Sequence, residues 1–227
     1  MSESDPTPIP PTRSGRLRWL IPALSAAIVS AFVALLAYGV VAQNPNTTID
    51  DNLAHGRSTP APPFRLAVLQ HGSLGLLLEP KLGAKLARPW LSLSELRGTP
   101  VVLNVWASWC VACQLEAPTL ERAWRTQARP HGVLFLGLDT QDAAPDARTF
   151  MRHYHIDYPN IRDPSNDVPL SYGVTGVPET FFITAGGRIV GHIIGLSTTA
   201  QLTAGIRAAR SGNVQDTLQG GAQSSFH

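Results

Sequence analysis

The chain's only two cysteines, Cys110 and Cys113, stand two residues apart, directly after an unbroken apolar run from Val101 to Trp106. Beyond them Leu115, Leu120, Ala123 and Trp124 follow at a spacing that predicts one buried face of a helix. A strand that runs through a tight turn into Cys-x-x-Cys at a helix start is the setting of a thiol–disulfide redox centre. Sulfurs three positions apart on a first helical turn face the same side and can close a small ring. Cys110 at the helix start would meet unpaired backbone N–H groups and the positive end of the dipole. Such a site can lower a thiol's pKa from ~8.5 into a range of about 3.5–7.5. Cys113, one turn deeper, is then the resolving thiol. Two other readings compete. A structural disulfide across so short a loop would remove little unfolded-state entropy. Half a zinc site would need two more ligands, and the chain has no second Cys-x-x-Cys and no His-x(3–5)-His pair. No metal is expected.

Charge excludes little beyond nucleic acid. The 18 Lys and Arg against 16 Asp and Glu leave a net +2, with no basic run to track a polyanion. The N-terminus is more informative. Leu20 to Ala42 is 23 residues without a charge, roughly 35 Å as a helix and enough to cross a bilayer. Arg13, Arg16 and Arg18 precede it, whereas the first charges after it are Asp50 and Asp51. That asymmetry puts residues 1–19 in the cytoplasm and the remainder outside. A cleaved signal peptide competes, since Val40-Val41-Ala42 resembles a cleavage site, although its apolar core would be only about 7–15 residues. The expected organisation is a cytoplasmic tail (1–19), a transmembrane anchor (20–42), a linker (43–63), a folded domain (64–212) and a disordered tail (213–227).

Within the domain, Phe64–Leu69 and Leu74–Leu78 read as a strand pair turning at His71-Gly72-Ser73, and Glu79–Arg88 fits no element. Val133–Leu138 is a second continuous apolar strand, the pattern of a parallel sheet covered on both faces. Asp142 is placed to cap the following helix, with Pro145 in its first turn. Thr180–Thr184 and Arg188–Ile194 flank Ala185-Gly186-Gly187 as a hairpin. Thr198-x-x-Gln201 opens the last helix as a capping box, and Gly212 can end it.

Asn104-Val-Trp-Ala-Ser-Trp-Cys110-Val-Ala-Cys113, with Glu116 and Pro118 behind it, resembles the membrane-tethered thioredoxin-like proteins of the TlpA/ResA/CcmG (DsbE) group. Gly173-Val-Thr-Gly-Val-Pro178-Glu-Thr-Phe181 resembles that group's second signature, and its Pro-Glu-Thr-Phe form is most like the cytochrome c biogenesis member CcmG. The likeness covers about residues 57 to 210. It implies an α/β fold: a thioredoxin-like mixed sheet flanked by helices, with an N-terminal hairpin, a central strand–helix insertion and one preceding transmembrane helix. It also implies a cis Val177–Pro178 bond set against the cysteines, where an extended substrate can pair with the Val177 backbone. A rigid trans turn proline is the ordinary alternative.

The resemblance makes Cys110 and Cys113 the catalytic pair and Glu116 an acid/base, against the plain reading of Glu116 as a surface charge. Trp109, Val177, Pro178 and Glu179 become substrate-binding candidates; Glu179 alternatively faces solvent beside the groove. Asn104 departs from minimal thioredoxins, which carry a buried aspartate on this strand, and an amide cannot shuttle a proton. Asp139 reads more simply as a strand-end turn residue. The implied activity is that of an extracytoplasmic thiol:disulfide oxidoreductase acting as a reductant, with no cofactor beyond the Cys110–Cys113 disulfide. Apocytochrome c or another disulfide-bearing protein is the implied substrate, and a membrane thiol reductase the electron donor. The N-terminal helix would hold it in the bilayer of a bacterial cell membrane, as a single-pass protein. General periplasmic reductases, oxidants or isomerases are rivals within the class, and a copper or metal chaperone is the rival outside it.

Overall fold

The structure is a computed structural model and describes residues 17–42 and 46–226. The chain divides into two compact units between residues 44 and 45. The first contains α1 (Leu17–Ala42), 26 residues long with Pro22 inside it. Among the described residues, no helix is long and apolar enough to cross a membrane. Several side chains of α1 lie outside the described residues, as do residues 1–16 of the expected tail.

The second unit begins earlier than the linker assignment expected. Within residues 43–63, α2 (Thr48–Ala54) buries Ile49 and Leu53, and β1 (Thr59–Pro60) joins the sheet edge. The expected N-terminal hairpin is also corrected. β2 (Arg65–Gln70) does not turn straight into a partner strand, because α3 (Gly75–Leu86) follows it. Leu74, Leu78, Leu82 and Leu86 recur every four residues and are all buried, which is helical spacing. The unplaced stretch from Glu79 is the remainder of that helix. β3 (Trp90–Ser92) then pairs antiparallel with β2 across it.

The centre of the fold follows the apolar runs. β4 (Val101–Trp106) leads into α4 (Val111–Ala123), and β5 (Leu134–Thr140) leads into α5 (Ala144–His153). β6 (Asn160–Asp163), α6 (Asp167–Ser171), β7 (Gly176–Val177), β8 (Glu179–Ile183) and β9 (Arg188–Ile194) come next. α7 (Thr199–Ser211), β10 (Thr217–Gln219) and β11 (Ser224–Ser225) complete the chain. The main sheet runs β1-β9-β8-β4-β5-β6-β2-β3, with β10 also paired to β9. β4, β5 and β6 are parallel, while β8 and β9 are antiparallel neighbours. Every residue of β4 and β5 is buried, as a strand covered on both faces requires.

Helices close both sides of that centre. Trp106 stacks on Phe150 of α5 with ring centroids 4.6 Å apart, and its indole N–H donates to Asn160 Oδ1 at 3.0 Å. α7 presses on β8 through Gly205, where a Cβ would meet the Phe182 ring at 2.1 Å. The α7 ends are those the sequence predicts: Thr198 and Gln201 form the capping box, and Gly212 takes the left-handed conformation at φ +80°. Asp142 does not cap α5; Ala143 holds that position. The tail expected to be disordered from residue 213 instead contributes β10 and β11.

Candidate active site

The turn after β4 delivers Cys110 to the N-cap of α4. Its sulfur accepts the Cys113 backbone N–H at 2.9 Å, so one of the helix's unpaired donors points at the atom that would carry the thiolate charge. Cys110 and Cys113 are joined as a disulfide, with an S–S distance of 2.07 Å. Both are buried, at 0% and 3% exposure. Position on the helix, and not exposure, therefore separates their roles. Val111 and Leu115 stand on the outer side of the same helix at 63% and 66% exposure, an apolar pair one turn apart beside the disulfide. Leu115 is thus on the opposite face from the one its spacing suggested.

The turn is held from below by a carboxylate. Asp142 accepts the Ser108 backbone N–H at 2.6 Å and its hydroxyl at 2.9 Å. Trp109 donates its indole N–H to the Gln141 carbonyl at 3.0 Å. It lines an open depression of about 560 Å³ with Gln141, Asp142, Ala143 and Pro164. Asp139 is fully buried under this turn, with its carboxylate 3.3 Å from Arg162 Nε but without hydrogen-bond geometry. Burial first, and then the neighbouring Asp142 carboxylate, push its pKa up to about 8. It is an interior group and not a strand-end turn residue.

Glu116 is not a surface charge. It is 1% exposed, three residues after Cys113 on the buried side of α4. Its carboxylate accepts from the Ser197 backbone N–H at 2.6 Å, from the Ser197 hydroxyl, and from the Asn104 amide at 3.3 Å. Desolvation outweighs those bonds and raises its pKa to about 7. Asn104 also donates to Thr180 Oγ1 at 3.0 Å, bridging the carboxylate to β8.

The Val177–Pro178 bond is cis. The Val177 carbonyl lies 3.4 Å from Cys110 Sγ, which brings the two sequence motifs together at the sulfur. Val177 is itself buried, and the contact to the sulfur is made by its backbone carbonyl. Glu179 does not line a groove. It is buried, with one carboxylate oxygen accepting the Thr175 N–H at 3.1 Å and the other 2.9 Å from His192 Nε2. The other ring nitrogen of His192 is 2.7 Å from Asp50 of α2. Burial lowers the His192 pKa, but the hydrogen bonds and charges of Asp50 and Glu179 outweigh it and the net shift is upward. The same contact with His192, joined by Thr217, outweighs burial at Asp50 and lowers its pKa.

Sequence reasoning missed His192, Ser197 and Asp50. A histidine inside the apolar strand Ile189–Ile194 was the one available signal, because a buried imidazole needs partners at both nitrogens.

The model of the AhpC/TSA family matches residues 79–192. The thiol:disulfide interchange protein DsbE of Pseudomonas fluorescens biotype C is 36% identical over 107 residues, 47% of this chain and 57% of that protein. HelX of Rhodobacter capsulatus, another thiol:disulfide interchange protein, is 34% identical over 127 residues, 56% of this chain and 68% of that one. The thiol-disulfide oxidoreductase ResA of Bacillus thuringiensis is 30% identical over 112 residues, 49% of this chain and 64% of that one. The chain spans little more than half the length of the DsbE proteins of Pseudomonas fluorescens and Allochromatium vinosum, 57% and 53%. A DsbF homologue from Corynebacterium diphtheriae shares the fold at a TM-score of 0.54 and 22% identity, over 67% of this chain and 88% of that one. A secreted Mycobacterium tuberculosis disulfide oxidoreductase does so at 0.51 and 21%, over 64% and 95%. With a disulfide at the helix start, a mixed sheet behind it and these relatives, the chain belongs to the AhpC/TSA family, in its thioredoxin-like branch with DsbE, HelX and ResA.

Proposed function

We propose that the protein is an extracytoplasmic thiol:disulfide oxidoreductase that works as a reductant. The observation that carries this reading is the Cys110–Cys113 disulfide at the start of α4, in contact with the backbone just before Pro178. In the dithiol form the Cys110 thiolate attacks a substrate disulfide. A mixed disulfide forms, and one substrate sulfur leaves and takes a proton. Cys113 gives its proton to a base, attacks Cys110 Sγ and expels the second substrate thiolate, which is protonated in turn. Two electrons and two protons have then passed to the substrate, and the protein holds the disulfide seen here. An external dithiol must reduce it before the next cycle.

Glu116 is the base for Cys113. It lies one turn along the same helix face, and its pKa of about 7 lets it hold or release a proton near neutrality. The apolar pair Val111 and Leu115 and the rim residue Trp109 suit a protein substrate that lays a chain across the disulfide. The likeness of Pro178–Phe181 to CcmG supports the haem-binding cysteines of apocytochrome c as that substrate, with a membrane thiol reductase as donor. The uncharged stretch Leu20–Ala42 supports a membrane anchor that keeps the domain on the extracytoplasmic side.

One experiment tests chemistry and anchoring together. A full-length Cys113→Ser chain expressed in bacterial cells is expected to accumulate mixed disulfides through Cys110 in the membrane fraction. Adducts found only in the soluble fraction would remove the anchor. An absence of adducts would remove the exchange reaction.

A further inference from the structure

The backbone edge that would receive a substrate is already paired. Ser224 and Ser225 of β11 run antiparallel to Val177 and Gly176 of β7, the two residues before Pro178. Around that pairing the C-terminal segment is tied down at several independent places. β10 adds a strand beside β9. Leu196 N–H donates to the Ala222 carbonyl at 3.1 Å, and Gly221 N–H to the Leu196 carbonyl at 2.8 Å. The Gln223 side-chain amide donates to Glu179 at 2.7 Å. The approach is close: a Cβ at Gly195 would meet the Gly221 carbonyl oxygen at 2.4 Å, and one at Gly220 the Leu196 oxygen at 2.6 Å. Phe226 packs half-buried against the core at the far end.

A two-residue strand pair is marginal on its own. Contacts on both sides of Ser224–Ser225 therefore hold it on the edge. Cys110, meanwhile, has no exposed surface. A sulfur that exchanges with another protein's disulfide has to be reached from outside, so the resting arrangement must open for a polypeptide to react.

We propose that Gly220–Phe226 is an internal strand that occupies the substrate edge at Gly176–Val177, and that an extended polypeptide substrate displaces it to reach Cys110. This rests on the redox reading above and adds a regulatory element to it. One strand edge takes one neighbour at a time, because each backbone donor and acceptor pairs once along it. Gly220, Gly221 and Ala222 bring almost no side chain to the interaction. The segment thus offers backbone pairing but little specificity, which suits an occupant that a longer substrate segment can replace. Glu179 makes the exchange selective, because its carboxylate holds both Thr175 of the loop and Gln223 of the internal strand. Release of the strand removes the Gln223 donor and leaves Thr175 and His192 on the carboxylate, so the loop stays in place.

Occupancy of this kind lowers apparent substrate affinity by the fraction of molecules whose edge is open. In the full chain, Ser224→Pro with Ser225→Pro removes two backbone N–H groups and disfavours the pairing. The probe is a synthetic extended peptide closed by one intramolecular disulfide. Its KM is expected to fall roughly tenfold in the double variant with kcat nearly unchanged. An unchanged or higher KM would overturn the proposal. In the unsubstituted protein, the same peptide with both cysteines replaced by serine should speed amide exchange across residues 217–226 and leave β4 and β8 protected. Binding without that acceleration, or no binding even to the double variant, would also overturn it. If neither protein reduces the disulfide peptide, the redox reading fails, while the exchange measurement still decides whether the strand is displaced.

Discussion

Replacing Cys110 by serine is expected to reduce disulfide exchange to the uncatalysed rate, a loss of at least about a thousandfold. The size of the effect follows from position. Cys110 is the sulfur that accepts a backbone N–H of the first turn of α4, and the one that lies against the Val177 carbonyl. Cys113 has neither contact. The fold should survive, because the ring closed by the disulfide is short and its loss costs about 2 kcal/mol or less. Rates measured with a protein disulfide substrate, alongside a thermal melt, check both halves. Activity within tenfold of the unsubstituted protein would assign attack to Cys113 and reverse the roles of the two sulfurs.

Glu116→Gln is expected to slow exchange by about a hundredfold while stabilising the protein above pH 7. An ionised Glu116 accepts the Cys113 proton, so the rate of the unsubstituted enzyme should rise as pH passes through about 7. That limb should disappear in the glutamine variant, which has no proton to exchange. Stability moves the other way. Glu116 has a folded pKa raised from 4.5 to about 7, so the native state binds a proton that the unfolded chain has already released. The contribution is present in full below pH 4.5 and is lost as pH rises through 7. At ~1.4 kcal/mol per pH unit the loss is about 3 kcal/mol, which an uncharged amide avoids. Melts at pH 5 and pH 8 on both proteins measure it. A variant with the same pH–rate profile as its parent would return Glu116 to a structural role.

What could be read from the sequence depended on how locally each feature is determined. The β4 run, the cysteine pair, the β8–β9 hairpin and the Thr198 box are patterns complete within a few residues, and each occurs in the structure. α3 reads as a strand in sequence because Leu74 to Leu78 is apolar and continuous over five residues. Its four-residue leucine spacing emerges only when the window extends to Leu86. α2, β10 and β11 have little local pattern, and they form because Ile49, Leu53 and the β9 and β7 edges give them something to dock on. Glu179 reads from the sequence as a substrate-binding residue, or as one facing solvent beside the groove, because its buried partner stands on another strand. Strand register sets His192 of β9 opposite Phe181 of β8, and Asp50 arrives from a helix more than a hundred residues earlier. Glu116 and Asp139 were identified as residues of interest, but their burial is a property of the packed sheet and the segments around it.

The reductant assignment can be tested most directly by equilibrating the protein with glutathione buffers and measuring its reduction potential. Val111 and Ala112 place no cation between the cysteines to stabilise the Cys110 thiolate. Glu116, when ionised, opposes a second negative charge on the neighbouring sulfur. Both features disfavour the reduced form, in contrast to a strong oxidant, whose reduced form is the stabilised one. The expected potential is near that of thioredoxin, about −270 mV. A value above roughly −180 mV, in the range of isomerases and oxidants, would contradict it.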